Sequence, residues 1–69
     1  MIRTSVTSSN VASVGYDYES STLEIEFNNG SVYQYFDVNE RVYEELLAAS
    51  SVGGYLASNI KGIYRYSKV

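Results

Sequence analysis

An α+β fold, with a small antiparallel sheet and two short helices packed on one face, is predicted by three features of this chain. Residues 22–36 alternate apolar and polar on both sides of an Asn-Gly turn, helical spacing replaces that alternation after Asp37, and alternation returns over residues 63–69. The expected order along the chain is β-β-β-α-α-β.

The first strand begins at Val11, where Val14, Tyr16 and Tyr18 alternate with Ser13, Gly15 and Asp17, and Glu19-Ser20-Ser21 supplies turn chemistry. Leu23, Ile25 and Phe27 then alternate with Thr22, Glu24 and Glu26, Asn28-Asn29-Gly30 turns the chain, and Ser31 to Phe36 returns as a hairpin strand. Asn39 is placed to cap a helix whose apolar stripe is Val42, Tyr43, Leu46 and Leu47. A second short helix is expected over Tyr55 to Lys61, capped by Ser51 and ended by Gly62. Leu23, Ile25, Phe27, Leu46 and Leu47 are the expected core.

Sixty-nine residues make one domain, expected over residues 11–69 and preceded by a partly ordered Ser/Thr-rich arm over residues 1–10. A chain this short buries only about 60% of the surface its unfolded form exposes, so its core contributes a margin of ~3–5 kcal/mol. Cysteine and histidine are both absent, which removes disulfides, the usual soft metal ligands and the usual nucleophile and proton shuttle. No catalytic residue, metal ion or cofactor is expected. The opening residues contain no apolar run of the length a secretory signal needs, and no stretch approaches the ~20 apolar residues that span a bilayer. A cytoplasmic protein without membrane attachment is the expectation.

Charge is unevenly placed. Residues 1–60 hold two basic residues against eight carboxylates, leaving −6, whereas residues 61–69 carry +3 from Lys61, Arg65 and Lys68. An anionic ligand would therefore be drawn to the C-terminal end, where Lys61, Tyr64, Tyr66 and Lys68 mix cations with rings that can stack a base. Regular alternation would put Arg65 on the face opposite Tyr64, Tyr66 and Lys68. The Ser51, Gly53 and Gly54 entrance to the second helix is a second candidate contact, because its first backbone N–H groups lack intrahelical partners.

Six of the eight tyrosines form Tyr-x-Tyr pairs, at Tyr16/Tyr18, Tyr33/Tyr35 and Tyr64/Tyr66. The hairpin register decides what the middle pair does. A two-residue loop sets Tyr33 and Tyr35 against Glu26 and Glu24. A three-residue loop, with Gly30 at positive φ, sets them against Ile25 and Leu23 and makes them structural. The second register is favoured, since the first places Gln34 against Ile25 in the buried face. The Glu24/Glu26 pair reads as a solvated strand face rather than as a glycosidase acid pair.

Ser8-Ser9, Gly15-Tyr16-Asp17, Leu23 through Phe27, Asn29-Gly30, Tyr33-Gln34-Tyr35, Val42-Tyr43, Ala49, Ser51-x-Gly53 and Ile60-Lys61-x-x-Tyr64 together resemble the KTSC domain. That family is named after its occurrence at the C-terminus of some lysyl-tRNA synthetases and also exists as small stand-alone proteins. The resemblance implies a binding module whose molecular function is not established, with RNA or a nucleotide as the suggested ligand. The alternative partner is a protein, including a second copy of the chain in a homo-oligomer. One departure is Asn39, where the family pattern has proline.

Overall fold

The computed structural model describes residues 1–69 as one five-stranded antiparallel sheet with two helices. The elements are β1 (Arg3–Ser5), β2 (Val11–Asp17), β3 (Thr22–Phe27), β4 (Val32–Tyr35), α1 (Glu40–Ala48), α2 (Val52–Asn59) and β5 (Tyr66–Lys68). The strands lie side by side in chain order, so both helices are inserted between the neighbouring strands β4 and β5.

The α+β class is as expected, with one strand added at the start. Arg3, Thr4 and Ser5 pair with Gly15, Val14 and Ser13, so part of the supposed arm is the sheet's first edge. Polar, exposed residues in a three-residue strand carry almost no hydrophobic alternation, which is why the sequence concealed it. The last strand is shorter than its alternating pattern, because residues 60–64 are a turn and bend in which Gly62 has φ +79°. Tyr18 likewise lies beyond the end of β2 and is exposed.

The β3–β4 hairpin takes the three-residue loop. Leu23 faces Tyr35, Ile25 faces Tyr33, and Gly30 has φ +91°. Within the loop, the Gly30 N–H donates to the Phe27 carbonyl and the Phe27 N–H to that of Ser31. Because directly opposed residues share a face, one row runs Tyr16–Leu23–Tyr35–Tyr66 and the next Val14–Ile25–Tyr33–Lys68.

Both helices cover this face. Asn39 Oδ1 accepts from the Arg41 N–H and Ser51 Oγ from the Gly54 N–H, so both expected caps form, but α2 runs from Val52 to Asn59 rather than from Tyr55 to Lys61, because a helix capped by Ser51 begins at the next residue. The core joins Val11, Val14, Tyr16, Leu23, Ile25 and Tyr35 from the sheet to Val38, Tyr43, Leu46, Val52, Leu56 and Ile60. Tyr16 donates its buried hydroxyl to the Val38 carbonyl and stacks on Tyr43 at 5.2 Å. Leu47 is not a core residue, being 39% exposed. At 100° per residue the direction facing the sheet falls between Tyr43 and Leu46, and Leu47 sits on the flank. Phe27 is half-buried against the cluster rather than within it.

The opposite face of the sheet is polar, but its carboxylates are held rather than freely solvated. Arg3 lies 3.4 Å from Glu24 and 3.7 Å from Glu26, Gln34 Nε2 donates to Glu24, and Ser13 Oγ donates to Glu26. The Glu24 side chain is only 14% exposed. Glu24 and Glu26 thus occupy a structural network on the face away from the tyrosine rows.

Candidate functional site

Coverage of the apolar face stops short of its β5 side. α2 ends at Asn59, Ile60 is fully buried, and the following turn carries Lys61 and Gly62 past the end of the hairpin. Between that turn and the sheet lies a groove of about 480 Å³, lined by Phe27, Asn29, Ser31, Tyr33, Tyr35, Lys61, Gly62 and Tyr66. No carboxylate is among these residues.

The groove has an aromatic floor and a cationic margin. Tyr66 lies 5.7 Å from both Tyr33 and Tyr35, and Phe27 meets Tyr33 edge-on at 5.6 Å. Tyr35 is 3% exposed and anchors this array in the core, whereas Tyr66 is 60% exposed and leaves much of its surface open. Burial, with smaller contributions from Tyr33 and Tyr66, pushes the Tyr35 phenol above the ordinary tyrosine range. Lys61 Nζ sits over the Phe27 ring, 5.2 Å from its centre. Lys68 faces Tyr33 across the β4–β5 pairing. Neither lysine has a carboxylate partner; the ion pairs involve only Arg3 and Arg65. A free ammonium beside aromatic faces suits an anion bearing a planar ring.

The residues singled out from the sequence divide into three locations. Lys61, Tyr66, Lys68, Tyr33 and Tyr35 come together around the groove. Tyr64 does not line the groove: it is half-buried against the core and lines an adjoining hollow of about 590 Å³ with Phe36, Gly62, Ile63, Arg65 and Tyr66, so Gly62 and Tyr66 border both. It lies at a bend, where strand alternation does not govern direction, so Tyr64 meets Tyr66 in that adjoining hollow and not in the groove beside Lys61. Arg65 is occupied on that side, 2.7 Å from Asp37 and over the Phe36 ring.

Ser51, Gly53 and Gly54 lie at the far end of α2, about 12 Å of helix away from the Lys61 turn. Their local role is packing. A Cβ on Gly53 would lie 2.5 Å from Asn10 Oδ1, because the Ser8–Asn10 turn is pressed against the helix entrance. Ser8 Oγ accepts from the Val11 N–H and donates to Asn10 Oδ1, which holds that turn in shape. The helix entrance is therefore covered from one side and separate from the groove.

Sequence reasoning missed Phe27, Asn29, Ser31 and Gly62 as parts of the site. The available signal was the three-residue loop itself: its register puts Phe27 on the tyrosine face, and an antiparallel return of residues 66–68 beside β4 sets Tyr66 against Tyr35 and Lys68 against Tyr33. No group of three or more His, Cys, Asp or Glu residues clusters as a metal site, and no helix is long and apolar enough to cross a membrane.

A family model described as the KTSC domain matches residues 7–66, a span that includes every groove-lining residue and leaves β1 and Lys68 outside. A lysine–tRNA ligase of Trichormus variabilis is 48% identical over 56 residues, covering 78% of this chain and 10% of the ligase. The chain thus spans about a tenth of the length of the ligases it matches. An uncharacterized protein of Stutzerimonas stutzeri is 39% identical over 70 residues, covering 100% of this chain and 99% of its own length. The crystal structure of a KTSC domain protein from Yersinia pestis superposes with a TM-score of 0.93 at 38% identity, covering 99% of this chain and 96% of that one. The β-β-β-β-α-α-β sheet with its paired helices is therefore the architecture of that neighbour too, and the chain belongs to the KTSC domain family.

Proposed function

We propose that the groove binds single-stranded RNA, stacking a base on Tyr66 and drawing the adjoining phosphates to Lys61 and Lys68. One observation carries this reading: Lys61 and Lys68, neither with an acidic partner, stand at an aromatic groove whose lining contains no carboxylate, on a chain of net charge −3. Stacking is worth about 1–3 kcal/mol per base and each phosphate contact adds a salt-dependent increment, so a two-lysine site is weak and strongly screened. The relatives that are lysine–tRNA ligases support RNA over other anions. The activity proposed is binding, without catalysis, in the cytoplasm. Titration of a short single-stranded RNA at low and moderate salt, with the native protein and with Lys61→Ala/Lys68→Ala, tests it.

A second reading is association between copies through the β5 edge. It is favoured by the exposure of Ile63, Tyr66 and Val69, which are 63%, 60% and 65% exposed beside a three-residue edge strand. Sedimentation of the purified chain separates it from the first reading, since an apolar dimer would not weaken with added salt.

A further inference from the structure

Stacking on tyrosine and attraction to lysine are indifferent to base identity, because every base has a π-face and every nucleotide a phosphate. Any preference must come from groove groups whose hydrogen-bonding sense is fixed. Hydroxyls of Ser31, Tyr33 and Tyr66 rotate and serve as donor or acceptor. Asn29 does not have that freedom: its Oδ1 accepts from the Ser31 N–H at 2.9 Å, closing the turn and leaving the amide N–H₂ as the side chain's unpartnered end. One of the two Oδ1 lone pairs is thus engaged and the carbonyl is held toward the loop backbone, so the N–H₂ donors are the freer end that Asn29 offers to a base. Lys61 is a donor only, and no carboxylate lines the groove to receive an exocyclic amino group.

Building on the RNA-binding reading, we infer that the groove selects a pyrimidine with a carbonyl at its 4-position over one with an amino group there, with Asn29 as the residue that discriminates. Uracil offers a carbonyl oxygen at the position where cytosine offers an amino group, so the two pyrimidines match in size and charge while reversing the hydrogen bond presented to Asn29. An amino group set against the Asn29 amide leaves two donors facing each other and neither satisfied.

The test compares eight-nucleotide oligo-U and oligo-C binding at low salt for the native protein, Asn29→Ala and Asn29→Asp. The expected native preference for oligo-U is about 5- to 100-fold, the range of one good base contact. Asn29→Asp keeps the acceptor that closes the turn and an Asp-Gly hairpin sequence, so it retains the loop while replacing donors with an acceptor. It should abolish or invert the preference, and Asn29→Ala should erase it, with circular dichroism confirming that both variants are folded. Equal native binding of the two oligomers overturns the selectivity while leaving the groove as an RNA site, as does a preference unchanged in Asn29→Asp. Absence of binding to either oligomer overturns the RNA reading itself, and the selectivity with it.

Discussion

Arg3 forms an ion pair with Glu24 although their strands are not neighbours. The row runs Arg3, Gly15, Glu24, Gln34 across four strands, and the arginine reaches over the one position without a side chain. A Cβ on Gly15 would lie 2.8 Å from Arg3 Cγ and 2.9 Å from the Ile2 carbonyl oxygen. A glycine in a strand interior costs conformational entropy, and here it provides the passage that ties the sheet's first edge to its third strand.

Gly15→Ala should therefore release β1. The expected cost is about 1–3 kcal/mol, typical of overpacking where backbone must shift, and the amide protons of residues 3–5 should lose their protection from hydrogen exchange. Protection unchanged from the native protein would show that β1 does not depend on the Gly15 passage.

Adjacent leucines on α1 should behave differently. Leu46 is fully buried, so Leu46→Ala should cost about 2–5 kcal/mol, comparable to the whole margin of ~3–5 kcal/mol for a domain this small, and leave the protein largely unfolded. Leu47→Ala should cost only about 0.5–1 kcal/mol, a shift of a few degrees in the thermal midpoint. Equal shifts for the two variants would mean that α1 is rotated from the orientation described.

The sheet was legible in the sequence wherever apolar and polar residues alternate, and the hairpin register followed from the cost of setting Gln34 against Ile25. The β1 strand was not, because Arg3, Thr4 and Ser5 are held by backbone pairing and by an ion pair across Gly15, neither of which leaves a periodic trace. Reading both Leu46 and Leu47 as core overstated the width of a stripe on a nine-residue helix. The C-terminal aromatic and basic residues were recognisable as a cluster, but their directions were not. Tyr64 sits at the bend that follows the positive φ of Gly62, so it lines the adjoining hollow on the other side of Tyr66 rather than the groove. Asn29 and Ser31 carry ordinary turn chemistry, and only the proximity of the Lys61 turn makes them part of a site.

Alkaline pH should destabilise the fold through Tyr35. Burial raises its phenol above the ordinary value of 10.0, so the folded state holds the proton more tightly than the unfolded chain. Its contribution is fully present below pH 10.0 and is lost as pH rises through the folded value. Thermal midpoints measured from neutral pH upward should fall above about pH 10, and the fall should be shallower in Tyr35→Phe. A parallel fall in the two proteins would assign the effect to other tyrosines, such as Tyr55, whose hydroxyl donates to Glu45.

The central claim is that Tyr66, Lys61 and Lys68 form one RNA-binding groove, and the most direct measurement is the affinity of an eight-nucleotide single-stranded RNA as a function of salt. With two phosphate contacts, affinity should fall roughly seven-fold between 50 and 200 mM salt. Lys61→Ala/Lys68→Ala should remove most of that dependence, while Tyr66→Ala should weaken binding about 5- to 100-fold and keep the slope. Absence of binding at low salt, or equal affinity and slope for the native protein and the double lysine variant, would contradict the claim.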